Sequence, residues 1–401
     1  MDLEFIKTLK KSADSKIVFL VVDGLGGLPE KSSGKTELET AKTPHLDALA
    51  KEGICGLHQP AGAGITPGSG PSHLALFGYD PVKYQIGRGV LSALGIDFDL
   101  KPEDIAARGN FCTVDEEGIV TDRRAGRIST EKNRQLCEML SQIEVPDVQI
   151  FVQTVKEHRF LLVFRGRDLN SEISDTDPQQ TGKKSLEPES SSPEARKSID
   201  AVNNFIDKAK AILSKQHPAN MILLRGFAKL PQWPAFTDVF GLKAAAVAGY
   251  PMYRGLAKLL GMQILQTEPE IENELQTLTN HWSDFDFFYV HVKATDSAGE
   301  DGNFEKKVKV IEQVDAIIPK LRQLEPEVIV VTGDHSTPAT MQYHSWHPVP
   351  VVLWSKYCRT DSVDKFDERT CVSGGLGPNL LAVDLMPLAM ANAGRLEKYG
   401  A

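Results

Sequence analysis

The sequence predicts an α/β protein with a mostly parallel sheet flanked by helices and a smaller inserted α+β domain. Three observations predict it. Short runs of β-branched and aromatic residues, the kind that fill a strand covered on both faces, recur near both ends of the chain. Stretches of helical spacing lie between them, as the crossovers of a parallel sheet require. The middle of the chain has a different, Arg-rich texture, and 401 residues exceed the size at which a single core usually divides. The expected division is a discontinuous domain, 1–97 with 236–401, interrupted by a second domain at 98–235.

Lys16-Ile17-Val18-Phe19-Leu20-Val21-Val22-Asp23-Gly24 is the first strand-then-turn unit, and it delivers a carboxylate at the strand's end. A helix follows from Thr43-Pro44, with Thr43 as N-cap, Pro44 in the first turn and Leu46, Leu49 and Ala50 on its apolar face. Six residues lie between Gly27 and Gly34-Lys35-Thr36, so they do not match a phosphate-binding P-loop, which needs four between its glycines. In Gly62 to Leu74, small residues and prolines allow close backbone approach to a ligand. Pro71 is placed to open a helix, and the Ser69 hydroxyl would face its positive end.

From Asp104 the segments shorten, and Arg123, Arg127, His158, Arg159 and Arg225 fall beside Gly or at strand ends, where a guanidinium can meet phosphate or carboxylate. The polar tract Asp175 to Ser198 reads as an exposed loop passing into a helix over 193–215. The first texture then returns. Strands are expected at 243–249, 286–292 and 328–332, with a further apolar strand at 349–354. The helix over 304–324 carries the stripe Val308, Ile311, Val314, Ile317 and Ile318.

Composition narrows the function classes. A formal net charge of -9 argues against non-specific nucleic-acid binding. No apolar run approaches the roughly 20 residues that span a bilayer, and the N-terminal residues lack a signal-peptide core. Five scattered cysteines without a C-x-x-C pair point to a reduced, cytoplasmic compartment and no thiolate metal site.

The chemistry-bearing residues lie beyond strand ends, where α/β proteins place ligands. Val328-Ile329-Val330-Val331-Thr332-Gly333-Asp334-His335 is followed by His344 and His347, and Asp296 follows the 286–292 strand. Carboxylates and imidazoles without cysteine suit Mn, Mg, Zn or Co, and a pair of such ions is a device for phosphoryl transfer.

Eight segments in order carry a specific resemblance: Val21-Val22-Asp23-Gly24, Thr66-Pro67-Gly68-Ser69-Gly70-Pro71, Phe77-Gly78-Tyr79-Asp80-Pro81, Asp122-Arg123-Arg124-Ala125-Gly126-Arg127, Ser174-Asp175-Thr176-Asp177-Pro178, Thr295-Asp296-Ser297-Ala298-Gly299, Thr332-Gly333-Asp334-His335-Ser336-Thr337-Pro338 and Gly374-Gly375-Leu376-Gly377. The chain resembles the archaeal-type, 2,3-bisphosphoglycerate-independent phosphoglycerate mutases, a branch of the alkaline phosphatase superfamily. That resemblance implies an alkaline-phosphatase-like sheet and interconversion of 3- and 2-phosphoglycerate at two divalent ions, Mn foremost, without 2,3-bisphosphoglycerate. It also implies Ser69 as the phosphorylated nucleophile and a ligand, Asp23, Asp334 and His335 as ligands of the same ion, and Asp296 and His344 as ligands of the other. Glu300 stands where the family has His, and an oxygen ligand there would shift metal preference. Arg123, Arg127, His158, Arg159 and Arg225 are the substrate-binding candidates. A metal-dependent phosphomonoesterase, a mutase of another phosphorylated metabolite and an inactive binding relative are the alternatives. The oligomeric state is left open.

Overall fold

A computed structural model describes residues 2–400, which form two compact units. One comprises the residues up to Gln85 together with those from Trp233, and the other is Ile86–Gln232. In chain order the strands are β1 (Ile17–Val22), β2 (Ile54–Gln59), β3 (Ile105–Val114), β4 (Val120–Asp122), β5 (Gln149–Lys156), β6 (Arg159–Arg165), β7 (Met221–Ala228), β8 (Ala244–Ala248), β9 (Gln263–Leu265), β10 (Phe287–Val292), β11 (Val328–Thr332), β12 (Val349–Ser355) and β13 (Gly377–Leu381).

The first unit is built on an eight-stranded sheet in the order β13-β2-β12-β11-β1-β10-β8-β9. Every residue of β1, β8, β10 and β11 is buried, which is why these strands read as unbroken apolar runs rather than alternating ones. The helix Phe304–Arg322 buries Ile311, Val314, Ile317 and Ile318, each contributing roughly 1.5–3 kcal/mol of hydrophobic stabilisation. Val22 pairs with Val292 and Val21 with Thr332, so β10, β1 and β11 end level with one another. The expected mostly parallel sheet is present, with β12 as the exception, running antiparallel to both β11 and β2. No helix intervenes between β11 and β12 to carry the chain back across the sheet, so residues 333–348 stay at the end of the sheet where β11 finishes.

The second unit has a five-stranded sheet in which β4, β3, β6 and β5 are successive antiparallel neighbours and β7 also pairs with β3. Helices Thr130–Leu140 and Arg196–Leu213 bury Leu136, Leu140, Phe205 and Leu213 in its core. Residues 166–192 contain neither helix nor strand. The boundary expected after residue 97 falls instead between 85 and 86. The helix Arg88–Leu94 packs on β3 so closely that a Cβ at Gly89 would stand 2.0 Å from the Ala106 carbonyl oxygen. That contact assigns it to the second unit, whereas its apolar residues alone do not say which core they enter. The second boundary falls at 232/233 rather than 235/236.

Candidate active site

Because β11, β1 and β10 are consecutive and end level, the first residues beyond them converge. Asp23 follows β1, Asp334 and His335 follow β11, and Asp296 lies in the first turn of the helix Ala294–Glu300 after β10. All four are buried. The fourth contribution comes from the helix Ser69–Leu76, which starts two residues before Pro71, so that Ser69 is itself its first residue, with Gly68 as N-cap.

Two groups of ligand-type atoms result, each lying within 4.8 Å of one another: Asp23, Asp334 and His335, and Asp296, His335 and His344. In the first, His335 Nε2 is 3.4 Å from Asp23 Oδ1, 3.2 Å from Asp334 Oδ2 and 3.2 Å from Ser69 Oγ. Asp23 Oδ1 and Asp334 Oδ2 are buried without a hydrogen-bond partner. A buried, orphaned carboxylate oxygen costs several kcal/mol unless a cation or proton meets it, so this donor set fits a divalent ion. In the second group, His344 Nδ1 donates to the Pro67 carbonyl oxygen at 3.1 Å, which leaves Nε2 as a lone pair 3.6 Å from Asp296 Oδ1. The His335 and His344 rings stack with centroids 3.6 Å apart.

The sequence gives no role to the groups that hold these ligands. The second oxygen of Asp23 accepts from Tyr253 Oη at 2.5 Å, His291 Nε2 at 3.0 Å and Lys293 Nζ at 3.1 Å. Lys293 Nζ also donates to Asp296 Oδ2 at 2.5 Å. Burial opposes ionisation of Asp23, but Lys293 and His291 overcome it and hold its carboxyl well below the usual range. Burial opposes and the two aspartates favour the ammonium of Lys293, whose pKa is raised. His73, one turn beyond Ser69, donates from Nδ1 to the Ser69 carbonyl at 2.8 Å and lies 3.2 Å from Asp334 Oδ2. A histidine inside the apolar run of β10 and a lysine directly after it were the only sequence signals for His291 and Lys293.

Glu300 ends its helix with its side chain 55% exposed and Oε1 3.8 Å from His344 Nε2; it belongs to neither group. His347, the neighbour of His344 in sequence, bonds through Nδ1 to Ser345 Oγ at 3.0 Å and is outside both groups.

The second unit has its own polar cavity of about 180 Å³, lined by Arg88, Arg108, Asn110, Arg123, Arg124, His158, Arg159 and Arg225. Arg123 donates Nε to Asp177 Oδ1 at 3.0 Å and Nη2 to Oδ2 at 2.7 Å, a bidentate pair with a fully buried carboxylate. Arg225 Nε is buried without a hydrogen-bond acceptor, 3.5 Å from Asp177 Oδ2. Burial and then Arg159 push the His158 pKa down to about 4, so its imidazole is neutral. Arg127 is exposed on the turn Ala125–Arg127 and does not line the cavity, whereas Arg88, Arg108 and Arg124, not among the sequence candidates, do.

Fold and site define a class of α/β protein in which carboxylates and imidazoles beyond adjacent strand ends are gathered beside one serine hydroxyl. The family model for 2,3-bisphosphoglycerate-independent phosphoglycerate mutase matches residues 50–220. A Thermotoga maritima protein named "Probable 2,3-bisphosphoglycerate-independent phosphoglycerate mutase" is 50% identical, with 99% of each chain covered. A protein of the same name from Aquifex aeolicus is 50% identical over the whole of both chains. The solved cofactor-independent phosphoglycerate mutase of Thermoplasma acidophilum superposes with a TM-score of 0.73 at 33% identity, covering 95% of this chain and 100% of that one. The chain belongs to the 2,3-bisphosphoglycerate-independent phosphoglycerate mutase family.

Proposed function

We infer that this protein is a phosphoglycerate mutase that moves a phosphoryl group between the 3- and 2-hydroxyls of glycerate through a phosphorylated Ser69. The observation that carries the reading is the meeting of two orphaned buried carboxylate oxygens, Asp23 Oδ1 and Asp334 Oδ2, with His335 Nε2 beside the Ser69 hydroxyl. Asp23, Asp334, His335 and Ser69 would hold one divalent ion and Asp296 and His344 the other, with Glu300 at its edge; the oxygen-rich donors favour Mn or Mg. Such ions neutralise phosphoryl oxygens and make a serine oxygen nucleophilic at neutral pH.

Ser69 Oγ attacks phosphorus as the bond to the substrate oxygen breaks, and the proton lost by the serine is balanced by one gained by the departing glycerate. The other glycerate hydroxyl then attacks the phosphoserine and restores Ser69, with no call for 2,3-bisphosphoglycerate. The neighbouring N-terminal turn of the helix Ser69–Leu76 favours the negative charge that develops there. The guanidinium cluster of the second unit, with Arg225 and Arg159 foremost and neutral His158 as a hydrogen-bonding group, serves as an anion subsite for the glycerate carboxylate. The partner is thus a small phosphorylated acid. Among the described residues no helix is long and apolar enough to cross a membrane, and the cysteines are all unbridged, which fits a cytoplasmic enzyme.

The test is ³¹P NMR of 3-phosphoglycerate incubated with the Mn-loaded protein and no added bisphosphoglycerate. Formation of 2-phosphoglycerate without inorganic phosphate is expected, and Ser69→Ala should abolish it. Free phosphate alone would make the protein a phosphomonoesterase, and no conversion would make it an inactive relative.

A further inference from the structure

Thr337, two residues beyond His335, is fully buried and held from every side. Its N–H donates to the Gly26 carbonyl at 3.0 Å, and its own carbonyl accepts from the buried ammonium of Lys307 at 2.9 Å. Two chain segments are small where it enters. A Cβ at Gly24, whose φ is +66°, would stand 2.7 Å from Thr337 Oγ1, and one at Gly299 would stand 2.2 Å from its carbonyl oxygen.

The hydroxyl so placed touches a residue of each ligand group. Thr337 Oγ1 donates to Asp296 Oδ1 at 2.7 Å and lies 3.0 Å from His335 Nδ1. A hydroxyl has one proton, and a carboxylate can only accept. With that proton given to Asp296, the oxygen must accept from His335, so Nδ1 carries the hydrogen. The lone pair of the neutral ring is then on Nε2, the atom that faces Ser69, Asp23 and Asp334.

We propose that Thr337 is a positioning residue that fixes the tautomer of His335 and the aim of Asp296 through one hydroxyl, and so links the two ion sites. This rests on the reading that both groups hold divalent ions. Thr337→Val keeps the shape and removes both hydrogen bonds, whereas Thr337→Ser keeps the hydroxyl. Removing such an outer partner typically weakens metal binding about 10- to 100-fold.

The experiment is Mn²⁺ titration of the metal-stripped, full-length protein, followed by the electron spin resonance of free Mn²⁺. Binding at both sites should weaken by about 10- to 100-fold in Thr337→Val and recover in Thr337→Ser. Wild-type affinity in the Val variant, or a Ser variant as weak as Val, would overturn the proposal. The tautomer is read without any ion from long-range ¹H–¹⁵N spectra of the metal-stripped protein. His335 should be protonated at Nδ1 in the wild type and lose that single tautomer in Thr337→Val; a proton on Nε2 in the wild type would overturn it. A wild type that binds no ion but shows the expected tautomer would sink the metal reading while leaving the hydrogen-bond relay standing.

Discussion

Glu274 offers a test of how burial governs stability. It lies on the helix Ile271–Asn280 with 1% of its surface exposed. Oε1 accepts from the Gly249 N–H at 3.3 Å, and Oε2 has no partner. Burial pushes its carboxyl up to about 9, against 4.5 for an exposed glutamate. A carboxyl with a raised pKa keeps in the native state a proton that the unfolded chain has released. Its contribution is therefore full below pH 4.5 and is lost as pH rises toward 9, with a slope of about 1.4 kcal/mol per pH unit. At pH 7.5, three units above the unfolded value, the loss is roughly 4 kcal/mol by the same slope.

Glu274→Gln keeps the shape and the acceptor for Gly249 but cannot ionise. It should gain roughly 2–4 kcal/mol over the wild type at pH 7.5 and nothing at pH 4.5. Urea unfolding followed by tryptophan fluorescence is the assay, since Trp233, Trp282, Trp346 and Trp354, the only tryptophans, all belong to the unit that contains residue 274. A difference between the variants that stays constant from pH 5 to pH 9 would refute the reasoning.

Three other outcomes are expected. Lys307, fully buried, donates to the Gly26 and Thr337 carbonyls and lies 3.7 Å from Glu37 Oε1, so Lys307→Met should cost about 3–5 kcal/mol, as breaking a buried ion pair does. A loss below about 1 kcal/mol in the same urea assay would contradict this. Lys293→Met leaves Asp23 and Asp296 facing each other without their ammonium, so its melting temperature should fall in EDTA and recover with Mn²⁺. An equal fall in both conditions would show that the lysine acts only as packing. Arg225→Ala should raise the KM for 3-phosphoglycerate about 10- to 100-fold through loss of a charged hydrogen bond, while exposed Arg127→Ala should leave it unchanged. Steady-state kinetics giving the two variants the same KM would count against the cavity as the anion subsite.

Much of the fold was legible because the central strands are covered on both faces and so read as apolar runs, and the carboxylates follow them directly. The direction of β12 was not legible, since a strand's composition is the same either way and only the lack of a crossover helix decides it. Strands β2, β9 and β13 carry little pattern: Ile54–Gln59 contains Gly56 and His58, and Gly377–Leu381 is mostly exposed. In the site, residues whose types announce ligand chemistry stood out, while those that hold them did not. Tyr253 comes from a helix more than two hundred residues from Asp23, and a tyrosine on an apolar helix face reads as core. Arg124 and Arg127 lie three residues apart in one motif, and the positive φ values at Ala125, Gly126 and Arg127 (+47°, +62° and +52°), which composition does not announce, accompany the turn after which Arg127 no longer lines the cavity.

The reversed direction of β12 reaches beyond sheet topology. Since β11 hands the chain to β12 without leaving the sheet's end, a single covalent segment of sixteen residues, 333–348, supplies Asp334, His335, Thr337 and His344. Both candidate ion sites therefore share one stretch of backbone, and lengthening it between Thr337 and His344 would displace one imidazole relative to the other. Loop grafting in this enzyme is better directed outside residues 333–348, so that the shared tether keeps its length.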